Sequence, residues 1–281
     1  AAEFAGRTPD GRTPTEQLTA IRPIATRLCT ELEDLVARDL IPALADEGIA
    51  IVSWDQLTDE DHTVLSRTFE EKILPVLTPL AVDPGHPFPY ISDLSLNLAV
   101  TLRDPTVGRE LFARLKVPPN LERFIHLQDG RLVPIEEVIA AHLPDLFVGM
   151  QIVDHQVFKV TRNADLSLDE DEAEDLLSAV EMELRRRRFT RAVRLEIQDS
   201  AGSGTRNLLL RELQLPEDAL YECNTLLDLR CLAEIAELAR PDLHQTSWIG
   251  VTEPELLVDG EKADLFAAIR RSDLLLQFQK R

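Results

Sequence analysis

The chain has 281 residues and a formal net charge of −20, from 30 basic and 50 acidic side chains, which suits one large or two modest domains. With 44% apolar and 28% charged residues it is globular rather than disordered, and its acidic balance excludes nucleic acid, anionic membrane and free polyanions as ligands of the average surface. No apolar run approaches the roughly 18–20 residues of a membrane span and no charged-then-apolar leader opens the chain, so a soluble, cytoplasmic protein is expected.

The first twelve residues carry no periodicity. Thr13-Pro14-Thr15-Glu16 then combines an N-cap, a first-turn proline and a glutamate at the third helical position. Leu18, Ile21, Ala25, Leu28, Leu32, Leu35 and Leu40 follow as a helical stripe, with a kink expected at Pro23 and an end at Gly48. A short strand is expected over 49–52, and a second capped helix from Thr58 with Asp61 three residues on. Five prolines between Pro75 and Pro89 predict an extended segment. Leu94, Leu96, Leu98, Val100 and Leu102 alternate with smaller or polar residues, which predicts a strand with those five side chains on one buried face.

Further strands are expected at 114–117 and 124–127, a turn at Asp129-Gly130, a short helix opened by Pro134, and a strand at 157–161. Ser167 to Glu170 starts the most regular helical pattern, 168–188, with acidic residues in its first turn and arginines in its last. Val193, Leu195 and Ile197 predict a buried strand face, and shorter helices are expected over 205–213, 228–240 and 262–271. The order of elements gives an α+β fold: a helical N-terminal segment followed by a mixed α/β domain.

Chemistry-bearing motifs are sparse. No G-x-x-x-x-G-K-[ST] and no G-x-S-x-G is present. Cys29, Cys223 and Cys231 are odd in number and form no C-x-x-C pair, which suggests neither a disulfide framework nor a zinc site. His62, His86, His126, His142, His155 and His244 show no metal-binding spacing. Gly202-Ser203-Gly204 ahead of Thr205 reads either as a phosphate-binding helix start or, more simply, as a flexible loop. Arg185, Arg186, Arg187 and Arg188 with Arg191 and Arg194 could meet phosphate groups, but four of the six also complement a helix C-terminus. The acidic cluster from Asp165 to Asp175 lacks EF-hand spacing and reads as a solvated helix start.

One stretch is far more specific. Pro75-Val76-Leu77-Thr78-Pro79-Leu80-Ala81-Val82-Asp83, His86-Pro87-Phe88-Pro89-Tyr90-Ile91-Ser92 and Leu94 to Val100 closely resemble the start of the head domain of bacterial polyphosphate kinases of the long, histidine-phosphorylating type. Ordered matches continue at Lys116-Val117-Pro118, Phe147 to Met150, Phe158 to Leu166, Arg186-Arg187-Arg188-Phe189 and Ala192 to Glu196. The resemblance implies a reversible transfer of the ATP terminal phosphate to polyphosphate through a phosphohistidine, with ATP and Mg2+ serving the complete enzyme. It also implies that residues 1–44 resemble the end of a helical domain, 45–250 the dimerising head or middle domain, and 251–281 the beginning of the first catalytic domain.

The departures are as informative. The family's nucleotide-holding asparagine has no counterpart, and after Ser272 to Leu276 the family runs into a histidine-proline-tyrosine segment and its catalytic histidines. This chain reads Gln277-Phe278-Gln279-Lys280-Arg281 instead. No catalytic, cofactor-binding or metal-binding residue of the family transfers to a position here. Of the histidines, His86 alone sits in a family-like motif, where the flanking prolines make it a connector. Two functions are therefore expected: part of a polyphosphate kinase, inactive alone, or a non-catalytic module that dimerises or docks on a full-length kinase.

Overall fold

The computed structural model describes residues 9–82, 88–163 and 190–245, with 257–258, 261–262, 266 and 269–270. The helix expected at 168–188, the acidic and arginine runs within it, His86 and residues 277–281 lie outside the described residues. The chain divides into two compact units, residues 1–235 and 236–281.

In the first unit, helix α1 (Pro14–Leu35) starts with the expected capping box: the Glu16 amide donates to the Thr13 hydroxyl and the Thr13 amide to the Glu16 carboxylate. It continues through Pro23. Pro23 and Thr19 are both exposed, so the Thr19 carbonyl left without its helical donor is reached by water. The α-periodicity changes later, in a π-turn at Val36–Leu40 ahead of helix α2 (Ile41–Asp46). Pro42 has no N–H for the turn before it, and the wider turn accommodates its ring. After Gly48, residues 49–52 form no strand but a single parallel bridge, Ile51 with Leu132. Helix α3 (Asp59–Thr68) carries the Thr58–Asp61 capping box and runs on through a π-turn that buries Phe69 and Ile73.

Six strands form the main sheet: β1 (Leu80–Val82), β2 (Leu96–Arg103), β3 (Glu110–Lys116), β6 (Gln151–Arg162), β7 (Ala192–Gln198) and β8 (Leu220–Cys223). Their spatial order is β1-β3-β2-β6-β7-β8, antiparallel except for β7 with β8. Strands β4 (Phe124–His126) and β5 (Leu132–Pro134) make a separate hairpin through Asp129-Gly130. Gly130 has φ +87°, and a Cβ there would lie 2.8 Å from the Gly48 carbonyl oxygen, so both backbone conformation and space require glycine. Helices α4 (Ile135–Ala141) and α5 (Leu143–Leu146) follow.

The sheet is buried on both faces. One face packs Leu96, Leu98, Val100 and Leu102 of β2 against Leu65, Phe69, Val138 and Ile139. The other packs Ala99, Phe112, Phe158, Leu195 and Ile197 against helix α6 (Ser203–Glu212) through Leu209, Leu210 and Leu213. Two expectations on burial change as a result. Leu94 leaves the predicted apolar face: it precedes β2, has φ +53° and is 39% exposed, its N–H held by the Val160 carbonyl. Val193 is exposed because the register shifts there: Thr161 pairs with Arg194 and Arg162 with Ala192, so Val193 is the extra residue of a bulge and Ala192 turns inward.

Toward the end of this unit the helix expected at 205–213 starts earlier, capped by Gly202, and Thr205 is buried inside it rather than at its cap. The helix expected at 228–240 is much shorter: a 3₁₀ turn at Leu229–Cys231 and helix α7 (Leu232–Ala236). Asp228 has φ +63°, which an aspartate tolerates better than most residues and which no helix contains. In the second unit, Lys262 belongs not to a helix but to β10 (Glu261–Lys262), antiparallel to β9 (Leu257–Val258); Phe266, Ile269 and Arg270 are helical. Among the described residues no helix is long and apolar enough to cross a membrane.

Candidate functional site

A cleft of about 690 Å³ lies between α1, the β7–β8 edge of the sheet and the start of α6. Strand alternation brings Lys159, Glu196 and Tyr221 to one sheet face, since Lys159 pairs with Glu196 and Glu196 with Tyr221. Lys159 Nζ lies 3.0 Å from Glu196 and 3.7 Å from Asp228, its side chain 10% exposed. Arg194 Nη2 donates to Glu196 Oε1 at 3.0 Å, and its guanidinium sits 3.8 Å from the Tyr221 ring centre. Arg22 reaches the same ring at 5.1 Å and donates to the Leu220 carbonyl at 3.1 Å. Helix α1 is thus tied to the sheet edge by a cation–π contact and a charge-assisted hydrogen bond, both from Arg22. Asn224 N–H also donates to Glu33, and Arg206 pairs with Glu222.

The electrostatics are close to balanced. Burial works to raise the pKa of Asp228, but hydrogen bonding from Arg230 and the charges of Lys159, Arg230 and Arg123 outweigh it and hold the carboxyl below its ordinary value. Burial pushes the Cys223 thiol up to about 12, which removes it as a nucleophile near neutral pH. Hydrogen-bond donors, in contrast, are in excess: Arg22 Nη1, Arg194 Nε and Arg206 Nε are buried without an acceptor. N–H groups in surplus beside neutralised charges suit neutral acceptors, such as polypeptide carbonyl oxygens, better than a free polyanion.

Arg194, taken from the sequence as a phosphate candidate, lies in this cleft already paired with Glu196. Arg191 is exposed, and its carbonyl accepts from Asn163. Gly202 caps α6, so Gly202 to Gly204 is a helix start, with Ser203 lining the cleft. Cys29, Cys223 and Cys231 are free thiols. His62 and His142 come together around Trp54, His62 stacked on it at 4.5 Å and His142 edge-on at 5.4 Å. His142 is buried, with Nδ1 at the Val138 carbonyl and Nε2 at the Ser66 hydroxyl, as a structural histidine. His126, His155 and His244 are exposed. Among the described residues no three His, Cys, Asp or Glu side chains converge to hold a metal ion. Arg22 and Tyr221 drew no attention in the sequence, because only folding brings positions 22, 194 and 221 together.

Comparison with known proteins gives this architecture a context. The polyphosphate kinase middle domain family matches residues 60–235. A polyphosphate kinase of Streptomyces coelicolor is 46% identical over 278 residues, which cover 98% of this chain and 37% of that protein. One from Mycobacterium marinum is 45% identical over 278 residues, covering 95% of this chain and 38% of the relative. The chain therefore spans little more than a third of the length of these relatives. The crystal structure of polyphosphate kinase from Porphyromonas gingivalis shares the fold, with a TM-score of 0.73 at 23% identity, over 93% of this chain and 38% of that one. With the match extending over the whole sheet and both of its packed faces, the chain belongs to the polyphosphate kinase middle domain family.

Proposed function

We propose that this chain is the scaffold portion of a cytoplasmic polyphosphate kinase that transfers the ATP terminal phosphate reversibly to polyphosphate, and that it performs no phosphoryl transfer alone. The supporting observation is the family match over 60–235 within a chain that spans 37% of its Streptomyces relative. Transfer through a covalent intermediate needs a positioned nucleophile and cationic groups free to meet the transferring phosphoryl. In the cleft Arg194, Arg206 and Lys159 already face carboxylates, and the Cys223 thiol is held protonated. Residues 1–44 are assigned to the end of a helical domain, 45–250 to the head, and 251–281 to the beginning of a catalytic domain.

A second reading has its own observation. Leu18, Ile21, Leu28, Leu32 and Leu35 of α1 are each about half exposed, an apolar seam that fits a module docking on a full-length kinase or on a second copy. Incubation with γ-labelled ATP and Mg2+, followed by alkaline gels for phosphohistidine and a polyphosphate extension assay, tests the first reading. No label and no extension are expected. Label on a histidine, lost when that histidine becomes alanine, overturns it. If adding the chain to the full-length Streptomyces enzyme changes that enzyme's rate, the docking reading gains at the expense of the scaffold reading.

A further inference from the structure

Arg114 is the one buried cation of the sheet interior that meets no carboxylate among the described residues. It lies in β3, 6% exposed, on the face of the sheet shared with Asn97 and Ala99. Its Nε donates to Asn97 Oδ1 at 2.8 Å. Asn97, itself fully buried, donates through Nδ2 to the Ser95 carbonyl at 2.8 Å and the Ser95 hydroxyl at 3.1 Å. Ser95 Oγ donates to the Ser92 carbonyl at 2.8 Å. Two residues along β3 on the same face, Lys116 donates from Nζ to Ser92 Oγ at 3.0 Å. Among the described residues the hydrogen-bond partners of both cations are thus neutral oxygens, where the other buried cations, Arg123 and Lys159, each have a carboxylate. Burial lowers the Arg114 pKa to about 10, and burial together with the Arg114 charge lowers that of Lys116.

Among the described residues these two adjacent buried or half-buried cations have no counter-charge, so they repel each other, lose hydration and favour an anion. The donor inventory says which kind. Arg114 keeps its two terminal nitrogens, Lys116 its remaining ammonium hydrogens and Ser92 its hydroxyl hydrogen, a multi-directional set that suits a tetrahedral dianion better than a planar carboxylate. The surroundings allow access. β1 pairs with β3 only from Phe112 to Arg114, so Lys116 stands beyond it at the sheet edge. The small Ala99 is the cross-strand partner of Arg114, and Ser92, Ser95 and Lys116 are half-exposed. Leu94, between the serines, takes the left-handed φ of +53°, a strained conformation of the sort found where a segment is shaped around a ligand. We infer that Arg114 and Lys116, framed by Ser92, Ser95 and Asn97, form a binding site for a phosphate group.

The site stands on the charge count at this spot and not on the kinase reading, so kinase assays neither support nor remove it. Its source is either free orthophosphate or one unit of a polyphosphate chain. Calorimetric titration of the 281-residue chain with orthophosphate and, separately, with tripolyphosphate distinguishes them by which binds tighter; a rise in melting temperature with either supports the site. Lys116→Gln and Arg114→Gln are each expected to weaken binding about tenfold or more. Arg109→Gln, at an exposed cation outside the network, is expected to leave binding unchanged. Arg114→Met removes an uncompensated charge, so it should melt no lower than the parent in phosphate-free buffer and lose the phosphate-induced shift. The site is refuted by absence of binding to the parent chain, or by equal binding in Lys116→Gln and the parent. Lys116 is half-exposed at a sheet edge, so that variant folds even if Arg114 variants do not.

Discussion

At the scale of single residues, a few buried ionic contacts tie separate elements together. Arg123 and Glu136 form a paired fork, with side chains 10% and 7% exposed, and Arg123 Nη2 also donates to the Leu227 carbonyl at 3.0 Å. Its backbone N–H and that of Phe124 meet Glu234, so this position ties β4 to α7. Glu136→Ala strands a buried guanidinium and should cost about 3–5 kcal/mol in urea unfolding, and Glu136→Gln, which keeps an acceptor, less. Asp228 gives the pH counterpart. Its folded pKa is depressed, so its stabilisation is complete above the unfolded value of about 3.9 and disappears as pH falls through the folded one. Asp228→Asn tolerates the same positive φ and should cost about 1–3 kcal/mol at pH 7. Thermal melts from pH 7 to pH 2 should then show parent and variant converging at the acid end. An unchanged gap would show that the Asp228 charge contributes nothing.

At the scale of elements, α1 shows how far a sequence pattern carries. Capping residues and the apolar repeat specify the helix and its start, and both are found. The pattern cannot say whether the stripe is covered, and within this chain none of the α1 residues is buried. Exposed apolar residues spaced three and four apart along one helix favour a second helix packing on them. Ile21→Glu with Leu28→Glu should leave the melting temperature nearly unchanged, because neither side chain contributes to the folded core, and should abolish any concentration-dependent association seen by light scattering. A large loss of stability would show that the seam already has a partner in the chain. Strand β7 makes the opposite point: alternation places Leu195 and Ile197 correctly, but the bulge at Val193 depends on how Arg162 and Ala192 pair across strands, which lies outside the reach of a local pattern.

At the scale of the whole molecule, the net charge of −20 sets the background for every association. Contact through the α1 seam brings two such fields together, so raising salt should strengthen self-association by screening repulsion, the reverse of what an ionic interface shows. Light scattering at low and at roughly 0.5 M salt checks the sign. Local periodicity, capping pairs and the Asp129-Gly130 turn were enough to give the α+β class and most strands, because they depend on neighbours in the chain. The motif from Pro75 to Val100 was enough for the family. What needed the tertiary structure were the juxtapositions: Arg22 and Arg194 over Tyr221, His142 against Ser66, and Arg114 buried with Lys116 beside neutral serines and an asparagine. An arginine in an alternating strand looks the same whether or not a carboxylate awaits it across the sheet. Pairing and burial are properties of residues far apart in sequence, and they alone decide whether a charge is neutralised or left to bind something else.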